Sequence, residues 1–223
     1  MQQSSDETNH VTQGMSVDVG RAALTVTKAL DYVGIDDKSH GRRVGLICHR
    51  LAHHLGWEKT RRHFILIAVM LHDCGVSSTT VHQKLADEME WEGAEEHCIR
   101  GDQFLQSFPP FSIFATAVKY HHTRWQDLPE TLDRETREYA NLIFFADRLD
   151  VAYASFILNH PYHEALLSRK KIISELTPYA GLLFSVEFHQ AAERAIQKDS
   201  FWLELRDEYL DDAIMEALSS EDY

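Results

Sequence analysis

Apolar residues recur at intervals of three or four positions along almost the whole chain of 223 residues. This interval places apolar side chains on one face of an α-helix, whereas a half-buried strand needs a period of two. The pattern therefore predicts an all-α protein. The predicted helices cover residues 16–34, 39–55, 58–73, 83–106, 111–122, 135–158, 161–176, 185–197 and 201–218.

The size and apolar content of the chain favour a single domain. With 44% hydrophobic residues, 223 residues can bury one sizeable core, and two full domains would be cramped. We predict a flexible leader over residues 1–14, a domain over 15–180, and C-terminal helices over 181–223. These last helices are expected to pack on the same domain or to serve in dimerisation.

Charge and composition argue against several classes of function. The formal net charge of −13 disfavours binding to nucleic-acid backbone or to an anionic membrane, since both attract basic surfaces. The longest apolar run, residues 64–71, is far below the roughly 20 residues that cross a bilayer. Three cysteines without a CxxC pair fit no disulfide framework, so a reducing cytoplasm is the expected location. A small anionic substrate is compatible with this charge if metal ions supply local positive charge.

Histidines and aspartates interrupt the apolar faces of the predicted helices. The stretch AVMLHDCG, residues 68–75, ends an apolar run with His72 and Asp73 and then breaks at a glycine. A carboxylate on an apolar face is costly unless it is paired, protonated or bound to metal. Neutral imidazoles and ionised carboxylates are the ligands of divalent transition metals. We therefore predict a convergent metal site, shared by five helices. Its candidate residues are His40, His72, Asp73, His97, His121, His122 and Asp147.

Other histidines and the cysteines have simpler interpretations. Cys74 and Cys98 are expected to be small core residues, because no second cysteine stands at a useful spacing. The histidines assigned to surface or helix-face positions are His49, His53, His54, His63 and His189.

The two aspartates of the stretch FFADRLD have alternative interpretations. Asp147 could pair with Arg148 or Arg124 instead of binding a metal. For Asp150, a role in the site and an ordinary helix salt bridge are equally supported.

The order of these residues resembles that of the HD phosphohydrolase superfamily. The matching segments are HGRRV at 40–44, LHDCG at 71–75, HCIRG at 97–101 and ADRLD at 146–150. The extra histidines make the chain similar to the HD-GYP branch, bacterial phosphodiesterases of cyclic di-GMP. The resemblance covers about residues 20–170 and identifies 15–180 as an HD domain. It implies a helical bundle with a metal site at its centre.

The resemblance also implies a ligand set for two divalent metal ions. It assigns one ion to His40, His72, Asp73 and Asp147, and the other to Asp73, His97, His121 and His122. Asp73 would bridge the ions and be the catalytic residue. A hydroxide between the ions would attack a cyclic dinucleotide, with cyclic di-GMP the leading candidate. Iron or manganese is favoured, and zinc, nickel or magnesium is compatible. Asp36 stands where some members hold a third ion.

The chain departs from the HD-GYP pattern around the expected substrate. Val76 replaces a lysine, Thr123 replaces a glutamate, and the GYP loop is missing. The segment HPYH at 160–163 takes the place of a basic RPYR segment. The residues that we predict to contact substrate instead are Arg124, Asp150, Lys84, His160 and His163.

These departures leave three functions open. The first is a cyclic dinucleotide phosphodiesterase that takes a small-molecule nucleotide and binds neither nucleic acid nor membrane. The second is a phosphohydrolase of another nucleotide or phosphate ester. The third is a catalytically weak, metal-bound signalling or interaction domain, with a cyclase or other signalling partner. A homodimer is a further candidate assembly.

Overall fold

The computed structural model describes residues 17–33, 39–76, 89, 93–158 and 162–219. The described residues contain no β-strand, and one isolated bridge joins Ala180 and Phe184. The predicted all-α class is therefore confirmed. The α-helices of the described residues are α1 (Val19–Val33), α2 (His40–His54), α3 (Lys59–Met70), α4 (Ala94–Ser107), α5 (Ala115–Lys119), α6 (Arg134–Tyr153), α7 (Tyr162–Leu176), α8 (Val186–Ala195), α9 (Asp199–Glu204) and α10 (Asp207–Ser219).

Several predicted helix boundaries were wrong. The helix predicted over 58–73 ends at Met70, because the amides of Leu71 and His72 bond to carbonyls three residues back and tighten the chain into turns. Of the segment predicted as helix 111–122, only α5 is α-helical, and a 3-10 helix over Pro109–Phe114 precedes it. The helix predicted over 135–158 is α-helical up to Tyr153 and continues as a π-helix over Ala154–Leu158. The one predicted over 201–218 is broken into α9 and α10. The helix predicted from residue 83 is α-helical only from Ala94 within the described residues.

Helix α2 lies at the centre of the bundle and packs against α1, α3, α6, α8 and α10. Helix α6 is buried almost continuously from Tyr139 to Asp150. The C-terminal helices share the same core, and Trp202 stacks on Tyr153 with ring centroids 5.8 Å apart. Because the two central helices are enclosed, polar groups on them must find partners inside the protein.

No helix among the described residues has the length and apolar character needed to span a membrane. The expected cytoplasmic location stays a prediction.

Candidate metal centre

The structure brings the seven predicted ligands into one cluster, in which histidines lie around Asp73. His40 is the first residue of α2, and Asp147 lies within α6. Oxygen Oδ2 of Asp73 lies 3.7 Å from Nε2 of His40 and 3.3 Å from Nε2 of His72. Oxygen Oδ1 lies 3.6 Å from Nε2 of His97, which belongs to α4, and 3.9 Å from Nε2 of His121. The two oxygens of one carboxylate thus face two different pairs of histidines.

Asp147 completes the cluster from the opposite side. Its Oδ1 lies 3.2 Å from Nε2 of His40, and its Oδ2 lies 4.0 Å from Nε2 of His122. Nε2 of His97 is 3.2 Å from Nε2 of His121. Ligand atoms of three sets lie within 4.8 Å of one another: His40, His72 and Asp147; His72, Asp73 and His121; and His97, Cys98 and His121. The arrangement provides enough nitrogen and oxygen donors for a divalent metal.

Hydrogen bonds on the outer ring nitrogens orient three of the histidines. Nδ1 of His72 donates to the carbonyl of Val69 over 2.7 Å, and Nδ1 of His121 donates to the carbonyl of Val118 over 2.5 Å. Nδ1 of His40 donates to Asp150 over 2.9 Å. In His72 and His121, a proton held at Nδ1 leaves the Nε2 lone pair directed into the cluster, which is the usual arrangement for metal-binding histidines.

A buried nitrogen in the cluster tests whether a metal fits. Nε2 of His72 is buried and has no hydrogen-bond partner among the described residues. An orphaned buried acceptor costs free energy, of the order of 1–3 kcal/mol. A cation bound at this lone pair would remove that cost, so the donor set fits a divalent ion.

Burial keeps three histidines neutral in what we call the second half of the cluster: His97, His121 and His122. Burial, followed by the neighbouring His97 and His72, lowers the pKa of His121 to about 3. Burial also lowers the pKa of His97, and holds that of His122 well below its ordinary value. Because only the neutral imidazole can bind a metal ion, these residues are in the required form at neutral pH.

In the first half of the cluster, His40 favours a positive charge and Asp147 a negative charge. Burial lowers the pKa of His40, but hydrogen bonds to Asp147 and Asp150 outweigh it and place this pKa well above its ordinary value. Burial raises the pKa of Asp147, but Arg148 and then His40 hold it well below its ordinary value. Arg148 is buried and donates to Oδ2 of Asp147 from Nη2 over 2.6 Å. The carboxylate of Asp147 is thus kept ionised inside the protein.

Comparison with known proteins assigns the chain to a family. The profile of the HD domain matches residues 38–152, which is more than half of the chain. The chain belongs to the HD domain family. The predicted membership of the HD superfamily is confirmed, and the fold is an HD-domain bundle with the histidine and aspartate cluster at its centre.

Two relatives of this HD protein come from Vibrio cholerae. The 3'3'-cGAMP-specific phosphodiesterase 1 of V. cholerae serotype O1 is 27% identical over 197 residues, which are 88% of this chain and 46% of the relative. A solved structure of a cyclic GMP-AMP specific phosphodiesterase of V. cholerae has a TM-score of 0.66 at 17% identity, covering 89% of this chain and 53% of the other. The chain spans about half the length of these relatives, and the structural likeness shows the fold alone.

Behind His40, the HD protein has a buried ion pair between Asp150 and Arg43, and Arg43 was not among the predicted site residues. Arg43 donates to Asp150 from Nε over 2.7 Å and from Nη2 over 2.8 Å. Asp150 was predicted to contact substrate, or else to form an ordinary helix salt bridge. It is fully buried, and both of its oxygens face Arg43 and His40 on another helix. This placement is that of a positioning residue for the ring of His40, and a contact between Asp150 and substrate stays a prediction. The spacing of three places His40 and Arg43 on one face of α2, but it does not identify Asp150 as their partner.

We expect Asp150→Asn to weaken metal binding by about 10–100-fold, because the carboxylate orients the ring of His40. Isothermal calorimetry with Mn²⁺ would measure this. The variant also leaves the charge of Arg43 buried without its partner, which destabilises the fold. The double variant Arg43→Met/Asp150→Asn should therefore recover stability without recovering affinity. If the double variant recovered both stability and metal affinity, Asp150 would serve only to neutralise the charge of Arg43, and not to orient His40.

Two glycines allow the turn that carries His72 and Asp73, residues 71–75, to pack against α4. A Cβ added to Gly75 would lie 2.0 Å from the carbonyl oxygen of His97 and 2.5 Å from the amide nitrogen of Gly101. A Cβ added to Gly101 would lie 3.0 Å from Cγ1 of Val118. The glycines of the LHDCG and HCIRG segments thus permit the close backbone contact that brings Asp73 to His97.

Among the predicted substrate contacts, Arg124 and Asp150 have side chains that the structure describes. Arg124 is exposed, in the turn after the paired histidines, with Nε 4.0 Å from a carboxylate oxygen of Asp127. Lys84, His160 and Asp36 lie outside the described residues, as does the side chain of His163. The leader over 1–14 also lies outside them.

Two histidines that were assigned to surface or helix-face positions are buried. His189 is 7% exposed, and its Nε2 lies 3.0 Å from the hydroxyl of Thr177. His49 is only 7% exposed, and it is buried because helices surround α2 on several sides. Burial, followed by the charges of Arg50 and Arg62, lowers the pKa of His49 to about 3.

This pKa predicts an acid-sensitive contribution to stability. Folded His49 stays neutral down to a pH of about 3, whereas the unfolded residue takes up a proton below a pH of about 6.5. Its contribution is thus fully present above the unfolded pKa and is lost as pH falls, by about 2 kcal/mol between pH 7.5 and 5. Between pH 7.5 and 5, the free energy of unfolding of His49→Leu, measured in urea, should fall by about 2 kcal/mol less than that of the wild type. Ile47→Val, on the same helix, should cost about 1 kcal/mol equally at both pH values.

Proposed function

We propose that the chain is a metal-dependent phosphodiesterase that hydrolyses a cyclic dinucleotide. The observation that carries this proposal is the cluster that Asp73 forms with six other ligand-type side chains, in a chain of the HD domain family. The relative named as a 3'3'-cGAMP-specific phosphodiesterase supports this substrate class. We place 3'3'-cGAMP first among substrates. Cyclic di-GMP and the HD-GYP branch, predicted from the sequence, stay predictions.

Each half of the cluster would hold one divalent ion. His40, His72, Asp73 and Asp147 would hold the first ion, and Asp73, His97, His121 and His122 the second. When bound, such ions polarise a phosphodiester and make water a better nucleophile. Nitrogen and oxygen donors suit iron or manganese, and also zinc or nickel.

The residues of this chain have three tasks in that reaction. Asp73 places negative charge between the two halves, and Arg148 keeps Asp147 ionised. The carbonyls of Val69 and Val118 fix the rings of His72 and His121. No serine or cysteine nucleophile is needed, because the attacking group is water.

Product analysis would test the proposal. Protein loaded with Mn²⁺ or Fe²⁺ would be incubated with 3'3'-cGAMP, cyclic di-GMP, cyclic di-AMP and mononucleotides, and the products separated by chromatography. We expect linear dinucleotides, and no reaction in excess chelator. Release of phosphate from mononucleotides alone would favour another phosphohydrolase. Full metal occupancy without any hydrolysis would favour a signalling domain and refute the proposal.

We also expect Arg124→Ala to raise the KM for the cyclic dinucleotide by about tenfold, as expected for the loss of one charge-assisted contact to phosphate. Metal content, measured by atomic absorption, should not change, because Arg124 is exposed and is no ligand. Arg134→Ala is the matched control, since Arg134 is 91% exposed and pairs with Glu138. Loss of metal in Arg124→Ala would contradict the substrate role.

A further inference from the structure

A cavity of about 650 Å³ lies between α4 and the chain that leaves α5. Cavities of this volume are typical of small-molecule sites. The residues on α4 that line it include Glu95, Cys98 and Asp102, and those after α5 include Tyr120 and His122. The described part of the chain forms this wall, and of the predicted substrate residues that the structure describes, neither Arg124 nor Asp150 lines it.

The cavity adjoins the second half of the metal cluster. Sγ of Cys98 lies 3.8 Å from Nε2 of His97 and 3.5 Å from Nδ1 of His121. His122 lines the cavity and packs on His97 with ring centroids 5.1 Å apart. A nucleotide whose phosphate lies at the cluster could therefore extend a neighbouring group into the cavity.

The charges of the cavity suit a neutral ligand group. Two carboxylates, Glu95 and Asp102, and one ammonium, Lys119, line it. Oδ1 of Asp102 accepts from Gln106 over 2.8 Å, and its Oδ2 lies 4.0 Å from Nζ of Lys119. A phosphate would meet more negative than positive charge here, so it is disfavoured. A nucleobase is uncharged, and the half-buried ring of Tyr120 offers it a stacking surface.

The carboxylate of Glu95 lines the cavity and has the chemistry to separate guanine from adenine. Its carboxylate is exposed on the first turn of α4, whereas that of Asp102 is already engaged. Guanine presents two adjacent N–H donors, at N1 and the 2-amino group, and a carboxylate accepts both. Adenine presents one donor beside one acceptor, which a carboxylate cannot match.

We propose that this cavity is a guanine subsite, in which Glu95 accepts from the base edge and Tyr120 stacks on the base. The inference rests on the proposed function, since it places a guanosine of the cyclic dinucleotide beside the cluster. It identifies the substrates as cyclic dinucleotides that contain guanine.

Ligand-observed NMR titration of the metal-loaded protein with guanosine and adenosine tests the subsite without any hydrolysable phosphate. We expect guanosine to bind at least about fivefold more tightly than adenosine. Glu95→Gln should weaken guanosine binding about tenfold and leave adenosine binding unchanged, because the amide offers only one acceptor. Glu96→Gln is the matched control, since Glu96 is exposed on the same turn and pairs with Arg100 over 2.8 Å. Tyr120→Leu should weaken both nucleosides, and Tyr120→Phe neither.

Measurements of KM and kcat test the subsite separately from the proposed function. In Glu95→Gln, the KM for 3'3'-cGAMP and cyclic di-GMP should rise about tenfold with kcat unchanged. Equal guanosine affinity in Glu95→Gln and Glu96→Gln, or no preference for guanosine in the wild type, overturns the subsite even if hydrolysis is observed. If the wild type hydrolyses no cyclic dinucleotide, the proposed function fails, and the nucleoside titration still decides whether the cavity binds guanine.

Discussion

Asp73→Asn should lose at least one metal ion per chain and reduce kcat/KM by about 1,000-fold or more. The carboxylate is central, since its oxygens lie 3.3 Å from Nε2 of His72 and 3.6 Å from Nε2 of His97. An amide has nearly the same shape but no charge, and only its oxygen can bind a cation. Such a loss of rate corresponds to about 4 kcal/mol of transition-state stabilisation. Atomic absorption and single-turnover hydrolysis would measure the two effects.

The melting temperature gives an independent measure of the same change. Bound metal stabilises the folded state by linkage, so chelator should lower the melting temperature of the wild type more than that of Asp73→Asn. His53→Ala is the control, because His53 is exposed and contacts Arg62 rather than the cluster. If Asp73→Asn kept both ions while His53→Ala lost them, the site would lie on another face of the protein.

Gly75→Ala should destabilise the protein by more than about 3 kcal/mol, at the upper end of the effects of single substitutions. The added methyl group would lie between the carbonyl of His97 and the amide of Gly101, and neither backbone group can move like a flexible side chain. Separation of the turn from α4 would also take Asp73 away from His97. Urea unfolding and metal titration would show both consequences.

Gly56→Ala distinguishes this steric effect from ordinary loss of a glycine. Gly56 has a φ of 75°, and a Cβ there would meet nothing within 4 Å. Its substitution should cost about 1 kcal/mol of backbone strain and leave metal affinity unchanged. Comparable losses of stability in the two variants would argue against the close backbone contact as the cause.

The sequence predicted the chemistry of the cluster better than its surroundings. Histidines and aspartates on apolar faces are rare enough to identify candidate ligands, and helical spacing placed His40 and Asp147 on inner faces. The same spacing could not show that α3 ends at Met70. Bonds to carbonyls three residues back decide that end, and no proline or glycine marks it.

The spacing of apolar residues does not reveal contacts between distant segments of the chain. His49 is off the apolar stripe of α2, so the sequence predicted a surface or helix-face position. It is buried because several helices surround α2. The pairing of Arg43 with Asp150 joins residues 107 positions apart, and local spacing carries no information on such a pair. The break between α9 and α10 was missed because the apolar stripe continues on both sides of it.

The carbonyl bonds of His72 and His121 have a consequence for how a metal ion is acquired. Each ring is held by a valine three residues earlier in its own turn, within the short segments VMLH and VKYH. Local contacts restrict the rotation of both side chains before any ion arrives, so little conformational entropy remains to be lost on binding. The folded chain is thereby preorganised, and ions can exchange at the centre without the bundle having to refold around them.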